Sequence, residues 1–505
     1  MTDRSGRPAS LARNTVAQSA PRALGYLFSF LSAPVIVEGL GLRDFGIWAL
    51  TGALAQYGAL LDLGVGISVA RYIAAQQDDR RLCGEYVGIG YLSVAAIAVV
   101  LTAIATATAG IITRALHGIS LADMRVVLYS SVVLLCCSML ASVIAAYPIG
   151  RRRMVMPNVA LMIGASVNFV ASVGSIALGA GLPGYALANA GSGVVSVLIL
   201  LAFVVKGEGS IPLSRPNARR ARAFMAFAIK NQTVRLTSLV NYQSDKIVIA
   251  FSIGPAAAGA YELANRVAIA VREIGIYATS AVDVELTAIM RNFGLDRVRA
   301  TYGRLTSVAV TFAFPPVLLA AAVAPLLLAT WLSHAPPNAT LVLVALSMAY
   351  LISVSTAVGY GIAMAVGEPG VVAKTSIWTA VANIALTVAL APPFGVWGVL
   401  AGTVIALTGG AVAQVILVQK RFSLSAQSYR DAVIPALSVY TALAVPVAAL
   451  SYTHLFHGRA VEAVALVCLS GAYVAACGAW AARSGRLPAA MMNRLARLQL
   501  LRTPG

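Results

Sequence analysis

Fourteen apolar runs of about 20 residues, separated by charged or Pro/Gly breaks, constrain this chain more than any other feature. They lie near 15–37, 45–69, 86–112, 125–147, 158–180, 184–205, 224–252, 259–282, 305–330, 340–366, 371–391, 395–418, 432–452 and 459–482. About 20 apolar residues in a helix cross the hydrocarbon core of a bilayer. The reading is an all-α polytopic membrane protein. The composition agrees: 59% hydrophobic, 11% charged, mean hydropathy +0.83. That is about half the charge of a soluble domain. A soluble enzyme, a disordered chain and a fibrous repeat are excluded. The spans holding Lys230–Lys246 and Glu262–Glu273 are less apolar than the rest, which gives a range of twelve to fourteen.

The formal charge of +19 has an address. With the N-terminus inside, 27 of the 37 Lys and Arg fall in alternate segments on one side, and 4 fall in the opposite loops. Basic loops stay cytoplasmic, so both termini are expected inside and no nucleic-acid partner is implied. The first span is expected to be retained: residues 15–37 are long for a signal segment, and Pro21-Arg22 interrupts them. Cys83, Cys136, Cys137, Cys468 and Cys477 show neither a paired framework nor metal-ligand spacing.

The basic, Pro- and Gly-containing stretch 206–222 follows six spans and reads as a cytoplasmic linker. A shift of 213 residues places Arg22 on Arg235, Val35-Ile36 on Val248-Ile249, Gly41 on Gly254, Gly46 on Gly259 and Trp48 on Tyr261. The expected organisation is therefore an N-terminal six-helix lobe (1–205), the linker, and a C-terminal six-helix lobe (223–420) in parallel repeat. Residues 421–505 add helices 13 and 14 and a cytoplasmic amphipathic tail. Parallel repeats of this kind bind substrate between lobes near the midplane.

Six basic residues remain inside spans: Arg22, Lys230, Arg235, Lys246, Arg266 and Arg272. They concentrate in the first two spans of each half, beside Asp62, Asp245, Glu262 and Glu273. Charges in hydrocarbon cost at least about 2.5–3.5 kcal/mol each, so they face a cavity or a partner. Arginine keeps its charge and offers a fork of donors that fits phosphate. A cationic cavity suits an anionic headgroup such as a diphosphate. Ion pairing is the other reading, above all for Glu262 and Arg266, four apart on one helix. Asp62, in Leu61-Asp62-Leu63-Gly64-Val65-Gly66, is either a proton or cation site or a helix-packing group.

Several strings, in order, resemble the polysaccharide-exporter (O-antigen flippase) branch of the multidrug/oligosaccharidyl-lipid/polysaccharide (MOP) flippase superfamily. They are Leu40-Gly41-Leu42-Arg43-Asp44-Phe45-Gly46-Ile47-Trp48, then Leu61–Gly66, Ser244-Asp245-Lys246-Ile247-Val248-Ile249-Ala250, Gly254–Tyr261 and Phe394–Thr403. The resemblance implies a flippase, not an enzyme, that moves a polyprenyl-diphosphate-linked oligosaccharide across the bacterial inner membrane by alternating access. It implies diphosphate contacts from Arg22 and Arg235, with Lys246 and Arg266 behind them. It also implies Na+ or H+ coupling. Asp62 is a candidate for that, as is a cation site at Asp245, Asn383 and Thr403, with Thr387 standing where relatives carry a second Asp. Partners would be the lipid-linked oligosaccharide, the bilayer and the polysaccharide polymerase machinery. Two rivals stay open: a cation-coupled multidrug antiporter of the same superfamily, and a membrane glycosyltransferase or polymerase. The short, bare outside loops argue against the second.

Overall fold

The computed structural model describes residues 9–62, 64–76, 79–116, 118–151, 153, 155–222, 224, 232–453, 455–456 and 458–486. Side chains at 9–23, 61–62, 232–236, 238, 278, 280, 281 and 284 stand outside that description. The expected tail helix at 486–502 thus lies almost wholly outside the described residues.

Among the described residues there is no strand, and ten helices are long and apolar enough to cross a membrane. In hydrocarbon only internally bonded backbone is tolerated, and helices meet that demand locally. The ten reconcile with fourteen runs for two reasons. Leu24–Gly58 and Gly370–Phe422 each take in two predicted spans. The runs at 224–252 and 259–282 are the two less apolar ones, and the structure makes them helical as well.

The chain divides into two compact units, Met1–Gly259 and Ala260–Gly505. The first holds α1 (Ala9–Gly58), α2 (Val65–Ala75), α3 (Arg80–Leu116), α4 (Leu121–Gly150), α5 (Val155–Ala177), α6 (Gly181–Glu208) and α7 (Gln232–Ser252). α5, α4 and α2 pack in turn against α6, α3 and one another, and α1 lies along α5 and α7. Ser120 caps α4 by accepting from the Asp123 amide at 3.0 Å, satisfying one of the free donors of a helix start. Between α5 and α6 the glue is polar. Asn168 donates to Asn189 (3.1 Å) and Ser192 (2.7 Å), and Ser172 donates to Asn189 (3.3 Å). Helix association in lipid lacks a hydrophobic drive, so such bonds and small residues carry it.

Span 2 is interrupted. α1 ends at Gly58, a 3-10 turn covers Ala59–Asp62, and Gly64 is left-handed (φ 66°) before α2 begins. A single run over 45–69 is expected from hydropathy. The left-handed Gly64 breaks it.

The glycines matched by the 213-residue shift behave alike. Gly41 (φ 79°) and Gly254 (φ 133°) both adopt positive φ at a break between helical segments. Gly46 and Gly259 meet: a Cβ on Gly46 would fall on the Pro255 carbonyl oxygen, and one on Gly259 on the Leu42 carbonyl oxygen. Only glycine permits backbones to approach this closely.

The stretch 206–222 lies on the first unit's helices. Arg220 forms a two-pronged pair with Glu85, both contacts 2.8 Å, and the Ser214 amide donates to the Gly84 carbonyl at 3.2 Å. Arg80 bonds Ser210. Glu208, with a side chain 1% exposed, receives Arg151 at 2.7 Å and Arg153 at 3.0 Å. The basic loop 151–153 reads from sequence as a topology signal. The structure adds that two of its arginines anchor the end of α6.

The second unit holds the rest of α8 (Pro255–Ala322, broken at Gly294), α9 (Ala324–Trp331), α10 (Ala339–Val354), α11 (Ala357–Val366), α12 (Gly370–Phe422, broken at Gly395), α13 (Ala426–Tyr452) and α14 (Arg459–Arg483). Val310, Phe314, Val317, Tyr440 and Tyr473 form one core in which α13 and α14 pack on α8. The Tyr440 hydroxyl reaches the Thr311 carbonyl at 3.4 Å.

Candidate functional site

The first unit contributes α7, whose polar residues share a face. Thr237, Asn241, Ser244 and Asp245 recur at intervals of three and four, the spacing that stacks side chains on one side of a helix. All four are buried, as is Lys246 (Asp245 3% exposed, Lys246 4%). A buried polar stripe in a span faces protein rather than lipid. α7 lies on α1, where the Tyr57 hydroxyl reaches the Leu239 carbonyl at 3.4 Å. Thr237 and Asn241 are not among the residues expected from sequence; their short polar side chains carry no charge to draw notice.

The side chains of Arg22, Arg235 and Asp62 lie outside the described set. Their backbones stand in α1, α7 and the 3-10 turn.

In the second unit the start of α8 carries the other charges, and here ion pairing is realised. Arg266 donates Nε to Glu262 at 3.1 Å, and Arg272 pairs with Glu273 at 2.8 Å. Arg272 also lies over the Tyr350 ring, 5.9 Å from its centre, and the Tyr350 hydroxyl donates to buried Asn265 at 3.2 Å. Asn265 and Tyr350 are further members that the sequence does not announce. A role for Arg266 toward a diphosphate would require exchange of its Glu262 partner.

α12 doubles back at Gly395, bringing Asn383 and Thr387 on one limb against Thr403 on the other. All three are at most 1% exposed. Thr403 donates to Asn383 Oδ1 at 3.2 Å, and Thr387 donates to the Asn383 carbonyl at 2.7 Å. A hard cation needs several oxygens, normally with carboxylate charge. These oxygens are neutral, Thr387 stands where a second carboxylate would be, and Asp245, the carboxylate of the expected set, belongs to the first unit. Among the described residues no cluster of three His, Cys, Asp or Glu is placed to hold a metal.

Helical rods broken at glycine, charges gathered on α7 and the start of α8, and two compact units define a class of membrane transporter fold. The same fold occurs in the lipid II flippase MurJ in an inward closed conformation. The TM-score is 0.72 at 11% identity, covering 93% of this chain and 99% of that one. It occurs also in an inward-facing multidrug resistance MATE family transporter of the MOP superfamily, with TM-score 0.65 and 17% identity over 81% of this chain and 98% of that one. A MATE transporter of Vibrio cholerae gives TM-score 0.56 and 17% identity over 83% and 99%. No curated protein sequence matches the chain. The model of the polysaccharide biosynthesis protein family matches residues 11–284, more than half of the length. The chain belongs to that family, with a fold of the MOP superfamily.

Proposed function

We propose that the protein is a flippase that carries a polyprenyl-diphosphate-linked oligosaccharide across the bacterial inner membrane. It would supply cell-surface polysaccharide synthesis, with both termini cytoplasmic. Membership of the polysaccharide biosynthesis family is the observation that carries this reading. The distribution of charge supports it: Arg22 and Arg235 stand at equivalent positions of a 213-residue repeat, and Lys246 is buried on the same helix as Arg235.

The chemistry follows from the side chains. Guanidinium groups replace water around the diphosphate oxygens through paired, charge-assisted bonds. Fixed cations in a site poor in water hold the anion without reorganisation. The polyprenyl tail stays in lipid, so the cost of crossing falls on the sugar and the phosphates. Access alternates between the two sides, with lobes 1–205 and 223–420 as the moving parts. The polymerase machinery receives the product outside.

The test is depletion of the protein followed by analysis of lipid-linked intermediates. A cytoplasm-facing glycolipid should accumulate, and its composition names the sugar. Arg22→Ala and Arg235→Ala should abolish export with normal insertion. Normal surface polysaccharide in both variants would overturn the diphosphate clamp. The likeness to MATE transporters favours a second reading, cation-coupled drug efflux. Proton-linked efflux of cationic drugs from an overproducing strain, without glycolipid accumulation on depletion, would select it.

A further inference from the structure

The second unit carries eight Asp and Glu, and seven have an evident place. Glu262, Glu273, Asp296 and Glu368 each pair with an arginine. Asp431 accepts from Gln427 at 2.8 Å, and Glu285 is exposed. Glu462 stands in the first turn of α14, where the helix dipole favours its charge. Asp283 is the eighth. Its side chain is partly buried, and among the described residues nothing donates to its carboxylate.

The carboxylate sits at a helix contact. Asp283 directly follows the apolar run 259–282 on α8, next to buried Val282 and one turn before buried Leu286. Its Oδ1 lies against Gly361 of α11, so closely that a Cβ there would stand 2.6 Å from it. The other side opens to solvent. A groove of about 490 Å³ runs along α8 past Asp283, Thr287, Ala288, Arg291 and Asn292, and the last four are exposed. The titratable groups on the elements packed here are Glu285, Arg291 and Tyr302 of α8, Tyr360 of α11, Lys374 and Lys420 of α12, the Glu368–Arg421 pair at the ends of α12, and Tyr429 of α13. None of them bonds to the Asp283 side chain. Burial, which penalises the charged form, raises this carboxyl above the ordinary aspartate value.

We propose that Asp283 is a proton-binding switch that sets how tightly α8 packs on α11, with the groove as the proton's way in. Neutral, the carboxyl rests against the Gly361 backbone at little cost. Charged, it needs water that the contact excludes, and the two helices are driven apart there. A carboxyl whose folded value is raised holds its proton in the packed form. The packed form is therefore favoured at low pH and loses ground as pH rises through that value. The switch does not depend on the flippase reading; it gives a flippase or an efflux transporter a proton-sensitive step alike.

The test uses the full-length protein in phospholipid nanodiscs. Infrared difference spectra between wild type and Asp283→Asn isolate one carboxyl band across a pH titration. It should titrate above the ~3.9 of a free aspartate. Gly361→Ala pushes the carboxylate out of the contact into the groove and should bring its titration down toward that value. Hydrogen exchange of 357–366, corrected for the intrinsic effect of pH, should slow several-fold in wild type as pH falls through the titration. It should stay slow throughout in Asp283→Asn and follow wild type in Glu285→Gln. A titration at or below the free value, or wild-type exchange that ignores pH, would overturn the proposal. Wild-type exchange decides even if a variant fails to fold. Glycolipid accumulation on depletion together with pH-blind exchange would leave the flippase reading standing and remove the switch. The expected pH response without accumulation would do the reverse.

Discussion

The pair between Arg220 and Glu85 makes a sharp prediction because its members are unequally buried. The Glu85 side chain is 5% exposed and that of Arg220 is 40% exposed. Removing the arginine strands a buried carboxylate, which costs about 3–5 kcal/mol. Removing the glutamate strands a guanidinium that water can reach. The loss is then that of the charge-assisted bonds, about 1.5–3 kcal/mol. The stranded Glu85 is relieved when the 206–222 stretch lifts off and water enters. The cost therefore appears as undocking of that stretch. At 1.36 kcal/mol per decade, Arg220→Ala should raise the undocked fraction roughly a hundredfold to a few thousandfold. Glu85→Ala should raise it roughly tenfold to a hundredfold. The assay is the rate of trypsin cleavage after Arg219 and Arg222 in inverted vesicles. Cleavage tracks the opening equilibrium when reclosing is fast. The double variant, with no carboxylate to bury, should fall back to the Glu85→Ala rate. Equal rates for the single variants, or additive effects in the double, would refute the reasoning.

Other outcomes follow from the same geometry. Gly46→Ala should lower thermal stability in detergent by at least about 1–3 kcal/mol, because its Cβ meets the Pro255 backbone rather than a yielding side chain. Scanning calorimetry against Gly52→Ala, which meets open space, is the control. Asn383→Leu should cost about 0.6–1.7 kcal/mol, the range for an interhelical bond within a membrane; a neutral result would mean that the contact with Thr403 contributes nothing. Glu368→Gln breaks a two-pronged pair with Arg421, whose members are 42% and 56% exposed. Solvated pairs of this kind contribute little, so no measurable change in thermal midpoint is expected.

The membrane helices are legible in the sequence because hydrocarbon imposes its demand on every residue of a span. The two less apolar runs are legible as exceptions for the same reason, since charge inside a span is rare. The repeat is legible at Gly41 and Gly46, whose backbone roles recur at Gly254 and Gly259. The break of span 2 at Asp62 and Gly64 is not, because hydropathy averages over a window wider than one turn. Nor is the ion pairing of Arg266 distinguishable in advance from a phosphate site. Glu262 four residues earlier permits the pair, and only side-chain placement realises it. Asn265, Tyr350, Thr237 and Asn241 are neutral, and neutral polar residues in a span resemble ordinary packing groups.

What the sequence alone determines is the solvent. Fourteen apolar runs require a bilayer, and the division of 27 basic residues against 4 is the ground on which the orientation is proposed. These are summed properties, so they survive ignorance of which side chains touch. Tertiary structure decides what each polar group is bonded to. It turns the 206–222 stretch into a strap held by Glu85 and Glu208. It bonds Thr387 and Thr403 to Asn383 across the two limbs of α12. A hydrogen bond is set by ångströms and angles between residues far apart in the chain, and linear order carries no record of either.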